Sequence, residues 1–146
     1  MEFKKILIAV DDSANAMGAA KLGFALAHNL NSQIGLVYVV DRSREVVNAD
    51  LGITPEQSRT VLLYEAENTI EQLIRINQNI EEIVRFTPEG SPEKEILHIA
   101  REWEADLIVM ATHEKSGLER LLTGSVTKYV VSHSAIPVLL VPEIKP

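Results

Sequence analysis

Gly124 and Ser125 are the residues whose type and position most directly suggest chemistry. They follow an apolar run, Leu107 to Ala111, and a polar loop that runs from Thr112 to about Glu119. The chain enters a helix at Thr123-Gly124-Ser125, where Val126, Tyr129 and Val130 recur at helical spacing. A strand, a loop and Gly-Ser at a helix start is an arrangement that holds phosphate. Free backbone N–H groups and the positive end of the helix dipole point to one place, and glycine admits close approach. Many strand-to-helix turns carry Gly and Ser for structural reasons alone, so a phosphate site and a plain connection both stay open at this point.

Other polar residues offer less. Asp11, Asp12 and Asp41 are carboxylates at the ends of apolar runs, suited to metal or acid–base work but more commonly caps and turn formers. His28, His98, His113 and His133 have no metal-ligand spacing, so no metal site is expected. His113 is the one that shares a loop with the candidate anion site. No Ser–His–Asp arrangement follows from spacing, and Gly124-Ser125-Val126 lacks the lysine of a P-loop. The chain is therefore expected not to be an enzyme.

Composition narrows the classes further. A formal net charge of −7 and the absence of any basic run argue against nucleic acid, which needs Lys and Arg gathered on a face. Cysteine is absent, which excludes disulfides and thiol chemistry. Met1-Glu2-Phe3-Lys4-Lys5 leads directly into an apolar run without the regions of a signal peptide. No apolar run nears the roughly 20 residues that span a bilayer. The expectation is a soluble, cytoplasmic protein with no membrane partner. At 146 residues it is one domain with a real core.

The elements that must position these residues alternate. Ile6 to Val10 reads as a strand covered on both faces. It ends at Asp11-Asp12-Ser13, where Ser13 is a natural N-cap. Met17, Ala20, Phe24 and Ala27 then form a helical stripe, closed by Asn29 and Asn31. Ile34 to Val40 is the second strand. Arg42 to Ile53 reads as a loop with an irregular turn. Thr54-Pro55-Glu56-Gln57 opens a long helix with a capping box, and Leu62, Leu63, Ala66, Ile70, Leu73 and Ile74 form its buried face. Ile80 to Phe86 alternates weakly with acidic residues and reads as a strand nearer the sheet edge. Ser91-Pro92 starts a helix lined by Ile96, Ile99, Ala100 and Trp103, and Trp103 is read as a core anchor. Gly117 serves the loop's backbone geometry, and Pro137 to Val141 is the last strand.

Five strands alternating with four helices predict a single-domain α/β fold, a doubly wound parallel sheet with helices on both faces. Ligands of such sheets bind beyond the strands' carboxyl ends, where strand order reverses. Asp11, Asp12, Asp41 and Thr112 to Lys115 come together there if the first and fourth strands are neighbours.

KILIAVDDS, GSPEKEI, ADLIVMATH, GLERLLTGSVT and IPVLLVP, in this order over nearly the whole chain, resemble the universal stress protein family. The resemblance implies a Rossmann-like fold of the adenine nucleotide alpha-hydrolase type with a five-stranded parallel sheet. It also implies a role in stress tolerance and a homodimer formed along the last strand, here Val138, Leu139, Leu140 and Val141. Many members bind ATP or AMP through G-x2-G-x9-G-[S/T], which falls on Ala111, Glu114, Gly124 and Ser125. The last two match. The phosphate loop implied comprises Ala111, His113, Glu114, Lys115, Gly124, Ser125, Val126 and Thr127. Adenine and ribose would lie against Ala9, Val10 and Asp11, with Val39 or Val40 beside them. Asp11 would accept from a ribose hydroxyl or the adenine amino group.

The two departures bear on affinity. Ala111 adds one methyl group, mild unless its φ is positive. Glu114 sets a carboxylate near phosphate, repelling it by about 1 kcal/mol per charge pair at ~4 Å in water. Lys115 would offset part of this, and Mg2+ is expected only with a triphosphate. An adenine-nucleotide pocket of reduced affinity, or one that favours fewer phosphates, is the leading reading. The alternative is a nucleotide-independent interaction module of the same fold, and slow ATP hydrolysis, with Glu114 orienting a water, is a weak third reading.

Overall fold

The computed structural model describes residues 1–44, 49–77, 82–112 and 124–143. Its strands are β1 (Lys5–Ala9), β2 (Gln33–Val37), β3 (Ile83–Phe86), β4 (Leu107–Ala111) and β5 (Val138–Val141). Its helices are α1 (Ala14–Leu30), α2 (Pro55–Ile76), α3 (Pro92–Glu102) and α4 (Ser125–His133). All strand pairs are parallel, in the order β3-β2-β1-β4-β5. Strands β1 and β4 are thus neighbours, and the reversal of order lies between them. β3 is an edge, as its weak alternation predicts.

Two apolar layers sandwich the sheet. On one face Ile6, Ile8, Leu107 and Val109 meet α1 and α2, through Ala20 and Phe24 of α1 and Ala66, Ile70 and Leu73 of α2. On the other face Leu7, Val37, Ile108 and Met110 meet Ile96 and Ala100 of α3 and Val130 of α4. β1 and β4 are buried nearly throughout, which is why both read as continuous apolar runs.

Local expectations fare unevenly. Thr54 and Gln57 form the full capping box, and Pro55 is the first helical residue. Asn31 closes α1 in the left-handed conformation at φ 55°. Met17, by contrast, is 45% exposed. The buried stripe of α1 runs through Ala16, Ala19, Ala20, Gly23, Phe24 and Ala27, one position to the side of Met17. Small residues fill it because the helix lies close on the sheet: a Cβ on Gly23 would come within 2.5 Å of Ile8. Strand β2 ends at Val37 rather than Val40. Beyond it Tyr38 donates to Phe86 O, and Val40 bridges to the turn before α3. Part of the irregular loop forms two short 3₁₀ turns, Arg42–Arg44 and Ala49–Leu51. Trp103 is half-buried, edge-on to Phe86 at 5.7 Å.

Candidate functional site

The carboxyl ends of β1, β2 and β4 open into a pocket of about 130 Å³. Ala9, Val10 and Asp11 line it from β1 and its end, and Val37, Tyr38, Val39 and Asp41 from β2 and the segment beyond. Met110 and Ala111 close it from β4, Pro92 and Ile96 from α3, Val126 from α4 and Ala16 from α1. The walls are mostly hydrocarbon, with carboxylates at the rim, a character suited to a flat, largely apolar ligand carrying a few polar groups.

Several expected site residues meet here: Ala9, Val10, Asp11, Val39, Ala111 and Val126 all border the pocket. Val40 does not. It is 1% exposed and packs on the α1–α2 face, because successive residues of an extended segment point to opposite faces. Its N–H donates to Pro88 O and its carbonyl accepts from Gly90 N, which fixes the turn that delivers Pro92 and Ile96 to the pocket. His113, Glu114 and Lys115 lie outside the described residues. Sequence reasoning missed Tyr38, Ile96 and Met110, which read simply as core residues. Asp41, expected at this end of the sheet beside Asp11, does border the pocket, though its sequence reading gave it no ligand-binding role.

The anion-binding half of the expectation rests on α4. Gly124 occupies the N-cap position and supplies no side-chain cap, and Ser125 is the first helical residue. Lys128 is the first N–H of this helix shown to bond back, to Gly124 O, so the N–H groups of the preceding turn are free of helical acceptors. No acidic residue stands in that turn. Thr127, also in it, is completely buried, and its hydroxyl has no hydrogen-bond partner among the described residues. The hydroxyls of Ser13 and Thr112, on the loops leaving β1 and β4, are also buried without partners among the described residues. Ser13 sits in the N-cap position of α1, yet its hydroxyl makes no cap bond; its N–H donates to Asp11 Oδ1 at 2.9 Å. Asn15, in the first turn of α1, donates to Thr112 O at 3.2 Å and so ties the start of that helix to the end of β4. N–H groups without helical acceptors and hydroxyls unpartnered among the described residues, gathered at a switch point, fit a phosphate-bearing ligand.

At the sheet's outer border, β5 carries the residues expected at a dimer edge. Val138, Leu139 and Leu140 are half-buried and Val141 is buried. Among the described residues no helix is long and apolar enough to cross a membrane, and no group of three His, Asp or Glu side chains is placed to hold a metal.

Comparison with known proteins agrees with this architecture. A universal stress protein of Methanocaldococcus jannaschii is 36% identical over 98% of this chain and 84% of its own length. The solved structure of a second protein of that archaeon is 28% identical, with a TM-score of 0.82 over the whole of both chains. Two more distant structures share the fold. The universal stress protein of Archaeoglobus fulgidus in complex with dAMP is 21% identical, with a TM-score of 0.65 over 96% of this chain and 98% of that one. A universal stress protein in complex with cAMP is 20% identical, with a TM-score of 0.66 over 97% and 98%. The sequence profile described as the universal stress protein family matches residues 2–142. The chain belongs to the universal stress protein family.

Proposed function

We propose that this protein is a nucleotide-responsive binding protein of the stress response, not an enzyme, and that its ligand is an adenine nucleotide with few phosphates. The observation that carries the reading is the first turn of α4. Its N–H groups have no helical acceptors, Thr127 beside them keeps a buried hydroxyl without a partner among the described residues, and Val126 of the same turn borders the apolar slot. A base would enter the slot and the phosphate would meet the helix N-terminus, where N–H groups and the dipole both favour negative charge. The relatives solved with dAMP and cAMP support the same ligand class. The carboxylate of Glu114, which stands where the family pattern has its second glycine, disfavours a long anionic tail, so monophosphates bind best and a triphosphate needs Mg2+ to offset its charge. Occupancy then alters the shape or partner choice of a homodimer paired through β5.

Titration calorimetry with ATP, ADP and AMP, with and without magnesium, tests this on the wild type and on Glu114→Gly. AMP should bind the wild type more tightly than ATP, and the substitution should raise ATP affinity about fivefold or more, the equivalent of removing ~1 kcal/mol of repulsion. No binding to either protein at millimolar nucleotide would remove the nucleotide reading.

A further inference from the structure

The two strands that frame the slot end in the same local pattern. Val10-Asp11-Asp12-Ser13 follows β1, and Val40-Asp41-Arg42-Ser43 follows the segment leaving β2. Each Asp is held in the same way. Ser13 N–H donates to Asp11 Oδ1 at 2.9 Å, and Ser43 N–H donates to Asp41 Oδ1 at 3.0 Å. At Asp41 the Ser43 hydroxyl donates to the same oxygen at 2.6 Å. Oδ1 of Asp41 is thus occupied twice, while Oδ2 has no partner among the described residues. Both aspartates border the one pocket. Asp41, fixed through Oδ1, presents Oδ2 as a pre-oriented acceptor, and a carboxylate oxygen can satisfy only a hydrogen-bond donor.

Position assigns that donor. Ala9 pairs with Val37, so Asp11 lies level with about Val39, and Asp41 lies two residues further out. At ~3.3 Å per residue this offset is roughly 6–7 Å, on the next strand over. The strand order β2-β1-β4 therefore sets three polar features across the pocket: the α4 turn that follows β4, then Asp11, then Asp41. Val37, Val39, Ile96 and Met110 supply hydrocarbon wall beside the last two. A nucleotide carries phosphate, sugar and base in that sequence. With phosphate at α4, the sugar falls beside Asp11 and the edge of the base beside Asp41.

We infer that Asp41 is a specificity residue that selects a base bearing an exocyclic amino group and rejects its oxo counterpart. This rests on the nucleotide reading of the same pocket and adds to it the group that reads the base. An amino group donates to the carboxylate in a charge-assisted bond. A 6-oxo group at that place would set acceptor against acceptor and leave both unsatisfied, the arrangement by which polar sites discriminate most strongly.

AMP and IMP differ in this group, and their affinities for the wild type and for Asp41→Asn decide the matter. The replacement keeps an oxygen for Ser43 and gains an N–H₂ that can donate to an oxo group. The wild type should bind AMP about tenfold or more tightly than IMP, and Asp41→Asn should bring the two within about twofold. Wild type that binds both equally would overturn the assignment, as would a variant that keeps the original AMP preference. In either case the pocket remains a nucleotide site. Wild type that binds neither at millimolar concentration would overturn the nucleotide reading together with this one.

Discussion

A buried hydroxyl without a partner costs a folded protein about 1–3 kcal/mol, and Thr127, with no exposed surface, carries one that has no partner among the described residues. Valine has nearly the same shape and no hydroxyl, so Thr127→Val removes an unsatisfied group without opening a cavity. In the ligand-free protein the substitution should raise stability by about 1 kcal/mol, read from the midpoint of urea unfolding at constant slope. If the hydroxyl serves a bound phosphate, the same variant should bind AMP about three- to tenfold more weakly. Opposite signs in the two measurements identify a group kept for binding at the expense of folding. Loss of stability in the free protein would mean that the hydroxyl has a partner after all, and Thr127 would drop out of the site.

Helix α1 shows how an element can be dictated by its neighbour more than by its own propensity. Glycine inside a helix costs about 1 kcal/mol relative to alanine, so Gly23→Ala would stabilise an isolated α1. In the fold the new Cβ would stand 2.5 Å from Ile8 Cδ1 and 2.8 Å from its Cγ1, and Ile8 is fully buried. Overpacking of this kind costs about 1–3 kcal/mol, so the clash should win. Gly23→Ala is expected to be destabilised by about 1 kcal/mol in urea unfolding, and a stabilised variant would show that α1 can lift off the sheet freely. For α2 the decisive contact is local. Thr54→Ala removes the acceptor of the Gln57 N–H bond at 3.2 Å and should cost about 1 kcal/mol. This difference in origin explains what could be read in advance. The capping box of α2 and the apolar runs of β1 and β4 are local signals, and they were legible. The displaced stripe of α1 was not, since Met17 and Ala16 are both apolar and only the approach of the sheet chooses between them. Tyr38, Ile96 and Met110 were hidden for a similar reason: an apolar wall of a pocket and an apolar wall of a core have the same composition. Asp41 did leave a signal, the repeated V-D-x-S pattern, but it gains meaning only once β2 is known to lie beside β1.

At the scale of the whole molecule, the sheet has two open edges of equal length, and they differ in how well they are guarded. β3 and β5 each contain four residues. β3 carries Arg85, exposed and paired with Glu71 at 2.9 Å, a charge of the sort that discourages strand addition. β5 reads Val-Leu-Leu-Val and carries none. Its backbone shows which groups are available. Pro137 O accepts from Ile108 N and Val141 O accepts from Thr112 N, so the odd-numbered residues face β4. By the alternation of a strand, the peptide groups of Val138 and Leu140 face outward. Two copies meeting edge to edge about a two-fold axis would satisfy each other's groups in an isologous dimer, as proposed for this chain. Leu140→Pro deletes one outward N–H from each copy while leaving the bonds to β4 in place, and proline is tolerated on edge strands. Sedimentation should then give the monomer mass for a variant whose circular dichroism is unchanged. Leu139→Lys sets a second test, since like charges would face each other across the axis. Dimer mass retained by both variants would move the contact away from β5, and a monomeric wild type would remove the dimer altogether.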